Sequence, residues 1–203
     1  MLGIIILAAG MSTRFGRNKL LEMVHGETVI ERVVKNSLAS NADEVIVVLG
    51  HQSKNVRRVL EDHKCKLVLN NNYHTGQCSS VKKGVDMLVD RAEAIIILPG
   101  DVALITTRVI DAVIKEYLSS NSSIVVASHH GSHGHPILFS KELFHEVLNI
   151  DESTFGLKSV INRHMDQVTR VEVDSTEVLI DIDTQEDFKR HLLGKDLFDQ
   201  EKQ

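Results

Sequence analysis

The chain has 203 residues, 42% apolar and 25% charged, which allows a sizeable core and an ordinary soluble balance. Its formal net charge of -5 argues against a nucleic-acid or anionic-membrane partner, so any polyphosphate needs a local cationic site. No apolar run approaches the roughly 20 residues that span a bilayer, no basic region opens a signal peptide, and Cys65 and Cys78 make no disulfide framework; a reduced, cytoplasmic chain is expected.

Short runs of Ile, Val and Leu at 3–7, 44–49, 66–69, 94–98 and 123–127 read as strands covered on both faces. Helical patterns fall between them at 28–40, 54–62, 79–90 and 106–119. Thr28 and Glu31 form a capping box that sets the start of the first helix. The second half reads as a strand at 136–139, helices at 141–148 and 155–164, and a strand at 167–173. A last helix follows Thr184, with Asp187 at the third position of another capping box. The tail from Lys195 is polar and expected to fray. This alternation predicts an α/β fold in three layers: a Rossmann-like, mostly parallel sheet with helices on both faces, forming one domain over 1–194. Ligands are expected at the carboxyl ends of the strands.

Three stretches could carry chemistry at that edge. After the first strand comes Leu7-Ala8-Ala9-Gly10-Met11-Ser12-Thr13-Arg14-Phe15-Gly16-Arg17-Asn18-Lys19. Its small residues let backbone N–H groups approach an anion, Ser12 can donate a hydroxyl, and Arg14 and Lys19 supply positive charge. The spacing fits neither the P-loop nor the dinucleotide fingerprint, and a tight turn with two solvated cations is the alternative. Asp101 ends the strand at 94–98, where a carboxylate suits Mg²⁺ or simply starts a turn. Asp181 and Asp183 alternate onto one side of an extended segment, as a cation site or as the lead-in to a helix.

Two further segments are polar. Residues 70–81 offer Asn70, Asn71 and Asn72, then Gly76, Ser79 and Ser80, able to read a base edge or bind phosphate; an Asx-rich turn with Ser79 as helix cap is the alternative. Cys78 lies within it but has no apparent base partner, which argues against a nucleophile. The tract 128–136 holds His129, His130, His133 and His135, readable as a metal tract, a solvated loop or a substrate contact; no matching ligand pair at zinc-site spacing accompanies it.

The run L-A-A-G-x-S-x-R-x-G-x-x-K at 7–19 resembles the signature of the molybdenum cofactor cytidylyltransferase-like nucleotidyltransferases, within the wider guanylyltransferase-like family. The resemblance extends from Leu7 to Asp187 and implies a fold of the nucleotide-diphospho-sugar transferase type. It implies that the loop from Leu7 through Ala8, Ala9, Gly10 and Ser12 wraps the NTP phosphates, with Arg14 and Lys19 on the triphosphate. Asp101 matches the family's metal aspartate, and the segment 181–187 resembles its late motif, in which Asp181 or Asp183 would complete an Mg²⁺ site. Gly76, Ser79, Ser80 and Gly84 match G-x-x-S-S-[VL]-x-x-G, a nucleotide contact. The segment 134–139 resembles G-H-P-x-L-F, which lies toward the acceptor and gives His135 a place on its phosphate or pterin.

The implied reaction is attack by an acceptor phosphate on the α-phosphorus of an NTP, releasing pyrophosphate. CTP and molybdopterin (or the molybdenum cofactor) are the expected substrates, because Ala9 stands where guanylyltransferase relatives carry a glycine. The alternatives are GTP, a sugar phosphate or methylerythritol phosphate as acceptor, and a molybdopterin-binding carrier without turnover. A client molybdoenzyme or its chaperone would be the protein partner. Two departures stand out. The family's G-D-x-G is replaced by Glu152-Ser153-Thr154-Phe155-Gly156, which bears on the acceptor, and Ala103 stands where a proline is usual.

Overall fold

Strand β1 (Leu2–Ala8) explains why this sequence makes three layers. Successive side chains of a strand point to opposite faces, so a run apolar at every position needs cover on both. In the computed structural model, which describes residues 1–194, Leu2, Ile4, Ile6 and Ala8 enter one core while Ile5 enters the other. The tail expected to fray from Lys195 lies outside the described residues. Beyond β1, the strands are β2 (Met23–Val24), β3 (Glu27–Thr28), β4 (Glu44–Leu49), β5 (Lys66–Leu69), β6 (Ala94–Pro99), β7 (Ile124–His129), β8 (Ser132–Ser140) and β9 (Val168–Glu172). The helices are α1 (Val29–Leu38), α2 (Ser53–Leu60), α3 (Gln77–Asp86), α4 (Thr107–Ser119), α5 (Phe144–Leu148), α6 (Leu157–Arg163) and α7 (Gln185–Phe188). Buried residues of α1, α2, α4 and α7 pack on one face of the sheet, and those of α3, α5 and α6 on the other.

The central sheet has seven strands in the order β5-β4-β1-β6-β8-β7-β9. Only β8 runs against the rest: it is antiparallel to both β6 and β7, whereas β1 pairs in parallel with β4 and β6, and β9 with β7. That reversal matters for the site. The start of β8, not its end, lies at the carboxyl edge of β1 and β6. Because Ile137 pairs with Ile97, His135 is set beside the last residues of β6.

Both capping boxes form, with Thr28 bonding Glu31 and Thr184 bonding Asp187 in each direction. The cap at Ser79, the alternative reading of segment 70–81, does not. Helix α3 begins two residues earlier, and the Ser79 hydroxyl donates back to the carbonyls of Gly76 and Asn72 at 2.8 and 3.0 Å. The hairpin of β2 and β3 escapes the sequence pattern because its strands are two residues each, too short for alternation to register. The expected helix at 141–148 opens as a 3₁₀ turn before α5. Among the described residues no helix is long and apolar enough to cross a membrane.

Close approach of α3 to β1 depends on Gly84, where a Cβ would lie 2.3 Å from Ile5 Cγ2. Ile5 is fully buried and β-branched, so it has little room to turn aside. Gly84→Ala is expected to lower the unfolding free energy by about 1–3 kcal/mol, read as an earlier denaturant midpoint with an unchanged slope.

Candidate active site

A cavity of about 810 Å³ opens at the carboxyl edge, walled by the loops that follow β1, β5 and β6, by the start of β8, and by segments 150–161 and 181–183. The loop after β1 is shaped from below. Phe15 is 2% exposed and meets Phe188 edge-on at 6.0 Å, while Gln185 Nε2 donates to its carbonyl at 3.1 Å. This apolar anchor turns the neighbouring Arg14 side chain outward, leaving it 71% exposed over the cavity. Ser12 is held at φ 53, where its carbonyl accepts from the N–H groups of Phe15 and Gly16. Its hydroxyl accepts from the Lys19 N–H at 3.3 Å, so its own proton is left to donate.

The cations and carboxylates named from sequence meet here. Lys19 Nζ bonds Asp101 Oδ2 closely and reaches Asp183 Oδ1 at 3.2 Å; the Lys19 and Asp101 side chains are each 14% exposed. Arg14 reaches the other oxygen of Asp183 at 2.9 Å. Asp181 faces His135 across 4.0 Å. Burial, followed by repulsion from Asp101 and Asp183, raises the Asp181 pKa, although His135 opposes this. Burial also lowers the His135 pKa, outweighing the two aspartates, so the imidazole is held toward its neutral form. Three carboxylates thus face two fixed cations, and the excess is negative.

Leu7, Ala9, Gly10, Ser12, Gly76 and Ser80 line the same cavity. Six of the nucleotide-contact candidates, Ala8, Asn70, Asn71, Asn72, Ser79 and Gly84, do not. Ala8 is 1% exposed because strand alternation sends its methyl into the core. Asn71 is exposed in the turn before α3, and Ser79 is taken up by backbone carbonyls. The work inside this segment falls to Asn70, whose amide donates to the hydroxyls of Ser79 and Ser80 at 2.9 and 3.0 Å, setting the wall that Ser80 presents. Of the histidine tract only His135 lines the cavity. His129 and His130 pack ring on ring at 4.1 Å at the β7–β8 hairpin, and Arg170 Nε donates to His133. The metal-tract reading of these residues finds no support: among the described residues no three His, Cys, Asp or Glu side chains are grouped to hold an ion by themselves.

Several lining residues were not singled out as site residues by sequence: Tyr73, His74, Gln77, Glu152, Phe155 and Lys158. The first three sat inside the polar segment 70–81 without a role. Glu152 and Phe155 sat in the stretch that departs from the expected motif, and that departure was their only signal. Glu152 accepts from the Cys78 N–H at 2.6 Å, and a Cβ at Gly76 (φ 120) would collide with its carboxylate. Burial and the Glu152 carboxylate push the Cys78 thiol up to about 11, so it stays protonated and a poor nucleophile.

Residues 4–168 match the model of the MobA-like NTP transferase domain. The chain is 28% identical over 185 residues to the molybdenum cofactor cytidylyltransferase of Escherichia coli, covering 91% of this chain and 92% of that one. It is 30% identical over 127 residues to the bifunctional protein GlmU of Staphylococcus carnosus, but this spans 61% of the chain and only 27% of GlmU. Among solved structures, Rv0371c of Mycobacterium tuberculosis superposes with a TM-score of 0.84 at 23% identity, over 95% of this chain and 98% of that one. At that identity the likeness is one of fold. A second structure of that protein is a complex with manganese.

Proposed function

The chain belongs to the MobA-like NTP transferase domain family and is a nucleotidyltransferase, and within that family we propose that it transfers CMP from CTP to the terminal phosphate of molybdopterin or the molybdenum cofactor, releasing pyrophosphate. The observation that carries the reading is the meeting of Arg14 and Lys19 with Asp101 and Asp183 in one cavity at the carboxyl edge of the sheet. The full-length similarity to a cytidylyltransferase supports the choice of substrates.

The residues fit a divalent cation. Asp101, Asp181 and Asp183 are hard oxygen donors around a surplus of negative charge, and a triphosphate would add several more charges. Mg²⁺ needs only one or two carboxylates when phosphate oxygens and water complete its shell, so no closed cage is required. That Rv0371c, a protein of the same fold, has been solved as a complex with manganese is compatible with a divalent ion here. Bound there, Mg²⁺ would polarise the α-phosphate and offset the charge that develops on it.

The chain's own groups do the rest by position. Lys19, held between two carboxylates, exchanges them for β- and γ-phosphate oxygens when nucleotide enters, and Arg14 likewise leaves Asp183. Both then stabilise the leaving pyrophosphate. Ser12 and the open backbone of Gly10 supply further donors to the phosphates. His135, held toward neutrality beside Asp181, is placed to hydrogen-bond the acceptor phosphate without adding charge. No covalent nucleophile is required, because the acceptor phosphate is one already.

Ala9 supports CTP over GTP. Its side chain is 5% exposed at the cavity wall and in contact with the space above Gly50, where a Cβ would lie 2.7 Å from it. Ala9→Gly is expected to raise kcat/KM for GTP relative to CTP by about tenfold, the scale of one methyl in a binding wall. The test of the whole reading is pyrophosphate release from each NTP with and without molybdopterin, the product being identified by mass. Turnover of GTP or of a sugar phosphate, with CTP and molybdopterin inert together, would overturn it.

A further inference from the structure

Phe155 is placed against the usual economy of the fold. Phe15, Phe139, Phe144 and Phe188 are buried, yet Phe155 is 80% exposed and lines the cavity. Its backbone is left-handed, at φ 64 and ψ 22, a conformation that non-glycine residues adopt only at a cost. The turn that holds it is well fixed. Asp151 Oδ1 accepts from the N–H and hydroxyl of Ser153 at 2.9 and 2.6 Å, the Phe155 N–H donates to the Glu152 carbonyl, and the Gly156 N–H donates to that of Asp151. Glu152 ties the turn to the start of α3 through the Cys78 N–H, and Gly156 packs on the Cys78 sulfur, 3.1 Å from where a Cβ would stand. A bare ring, held out on a tethered turn into the reaction cavity, is a surface for another flat ring.

The same turn supplies an acceptor for hydrogen bonds. A carboxylate offers about four acceptor sites, and Cys78 occupies at most two of those on Glu152, which leaves acceptor capacity toward the cavity. A carboxylate beside a stacking platform suits a heterocycle whose edge carries adjacent N–H donors, as the 2-amino-4-oxopyrimidine edge does. Lys158, in the first turn of α6, adds a cation on the same wall for an anionic substituent.

From these features we propose that Phe155 and Glu152 form the acceptor-recognition site of the enzyme: Phe155 stacks on a planar 2-amino-4-oxopyrimidine ring system and Glu152 accepts from its ring and exocyclic N–H groups. This rests on the transferase reading for its place in the reaction and goes beyond it by assigning the residues that select a ring-bearing acceptor over a sugar phosphate.

The test is binding without turnover. Free pterin and its 2-oxo analogue lumazine, which carries a carbonyl in place of the amino donor, are titrated into the full chain and followed by ligand fluorescence and calorimetry. Pterin is expected to bind about tenfold more tightly than lumazine. Phe155→Ala weakens pterin about tenfold, whereas Phe155→Tyr stays within about twofold of the parent. Glu152→Gln keeps an oxygen for the Cys78 N–H but turns a donor toward the ligand, so the preference reverses to lumazine. Both side chains are exposed, and thermal melts will verify that the variants fold.

Pterin bound equally well by the parent, Phe155→Ala and Glu152→Gln would overturn the assignment. So would variants that raise KM for the NTP while leaving pterin binding intact, since the surface would then read the nucleotide base. If pterin binds as described but CTP and molybdopterin give no pyrophosphate, the transferase reading fails while this site stands. If transfer proceeds and the variants leave pterin affinity untouched, this site fails alone.

Discussion

Asp101→Asn lowers kcat by about 10³-fold while KM for the nucleotide changes far less, in pyrophosphate-release assays at saturating Mg²⁺. The side chain keeps its shape and loses its charge. It follows β6 by two residues, beside the loop after β1, with a carboxylate that is 14% exposed and bonded only to Lys19 among the described residues. A carboxylate in that position does two things for a triphosphate: it anchors the cation and, before substrate arrives, it keeps Lys19 extended into the cavity. Asparagine can accept from Lys19 but binds a divalent ion weakly. The loss therefore falls on the chemical step and persists at saturating Mg²⁺. Thermal unfolding should move by no more than a few degrees. A variant that turns over at the parent rate would remove Asp101 from the reaction.

Lys19→Met is the second large effect, and it separates two roles of one side chain. Turnover is expected to fall by about 10²-fold or more, because the stabilising charge on the leaving pyrophosphate is gone. Without nucleotide, however, the variant should bind Mn²⁺ about tenfold more tightly than the parent, measured by calorimetry. Lys19 now bridges Asp101 and Asp183, so it competes with a cation for the same oxygens. Removing it leaves Asp101, Asp181 and Asp183 without the charge that offset them, and their mutual repulsion, which adds to burial in raising the Asp181 pKa, favours a bound cation. Slower catalysis with tighter metal binding is hard to obtain from general damage to the fold. Unchanged Mn²⁺ affinity would mean that Lys19 does not guard the carboxylates.

The bridging lysine also gives a physical account of the resting site. Arg14 and Lys19 pair with Asp183 and Asp101, which offsets most of the negative charge of the three aspartates before ligand enters. Nucleotide and metal arriving together add both signs at once, and each can be satisfied by groups already in place. Either alone would leave Lys19 and the carboxylates competing for partners.

Much of this protein was determined by local patterning. The apolar runs at β1, β4 and β6 are readable as doubly covered strands, because side-chain alternation along an extended chain allows no other way to bury them. The two capping boxes are likewise local, each a reciprocal bond across three residues. Arg14, Lys19 and Asp101 are identifiable because a loop that leaves a parallel strand opens at the carboxyl edge wherever that strand sits. What sequence alone could not decide was pairing over distance. The reversal of β8, which selects His135 from four histidines and brings it opposite Asp181, follows from strand order and register, which no window of residues contains. Ser79 matched its motif and still turned away, since two backbone carbonyls satisfied its hydroxyl first. Glu152 and Phe155 reach the cavity only because a carboxylate caps a helix begun 75 residues earlier in the chain, at Gln77. Contacts of that range depend on how the layers close over one another, and so they belong to the tertiary structure alone.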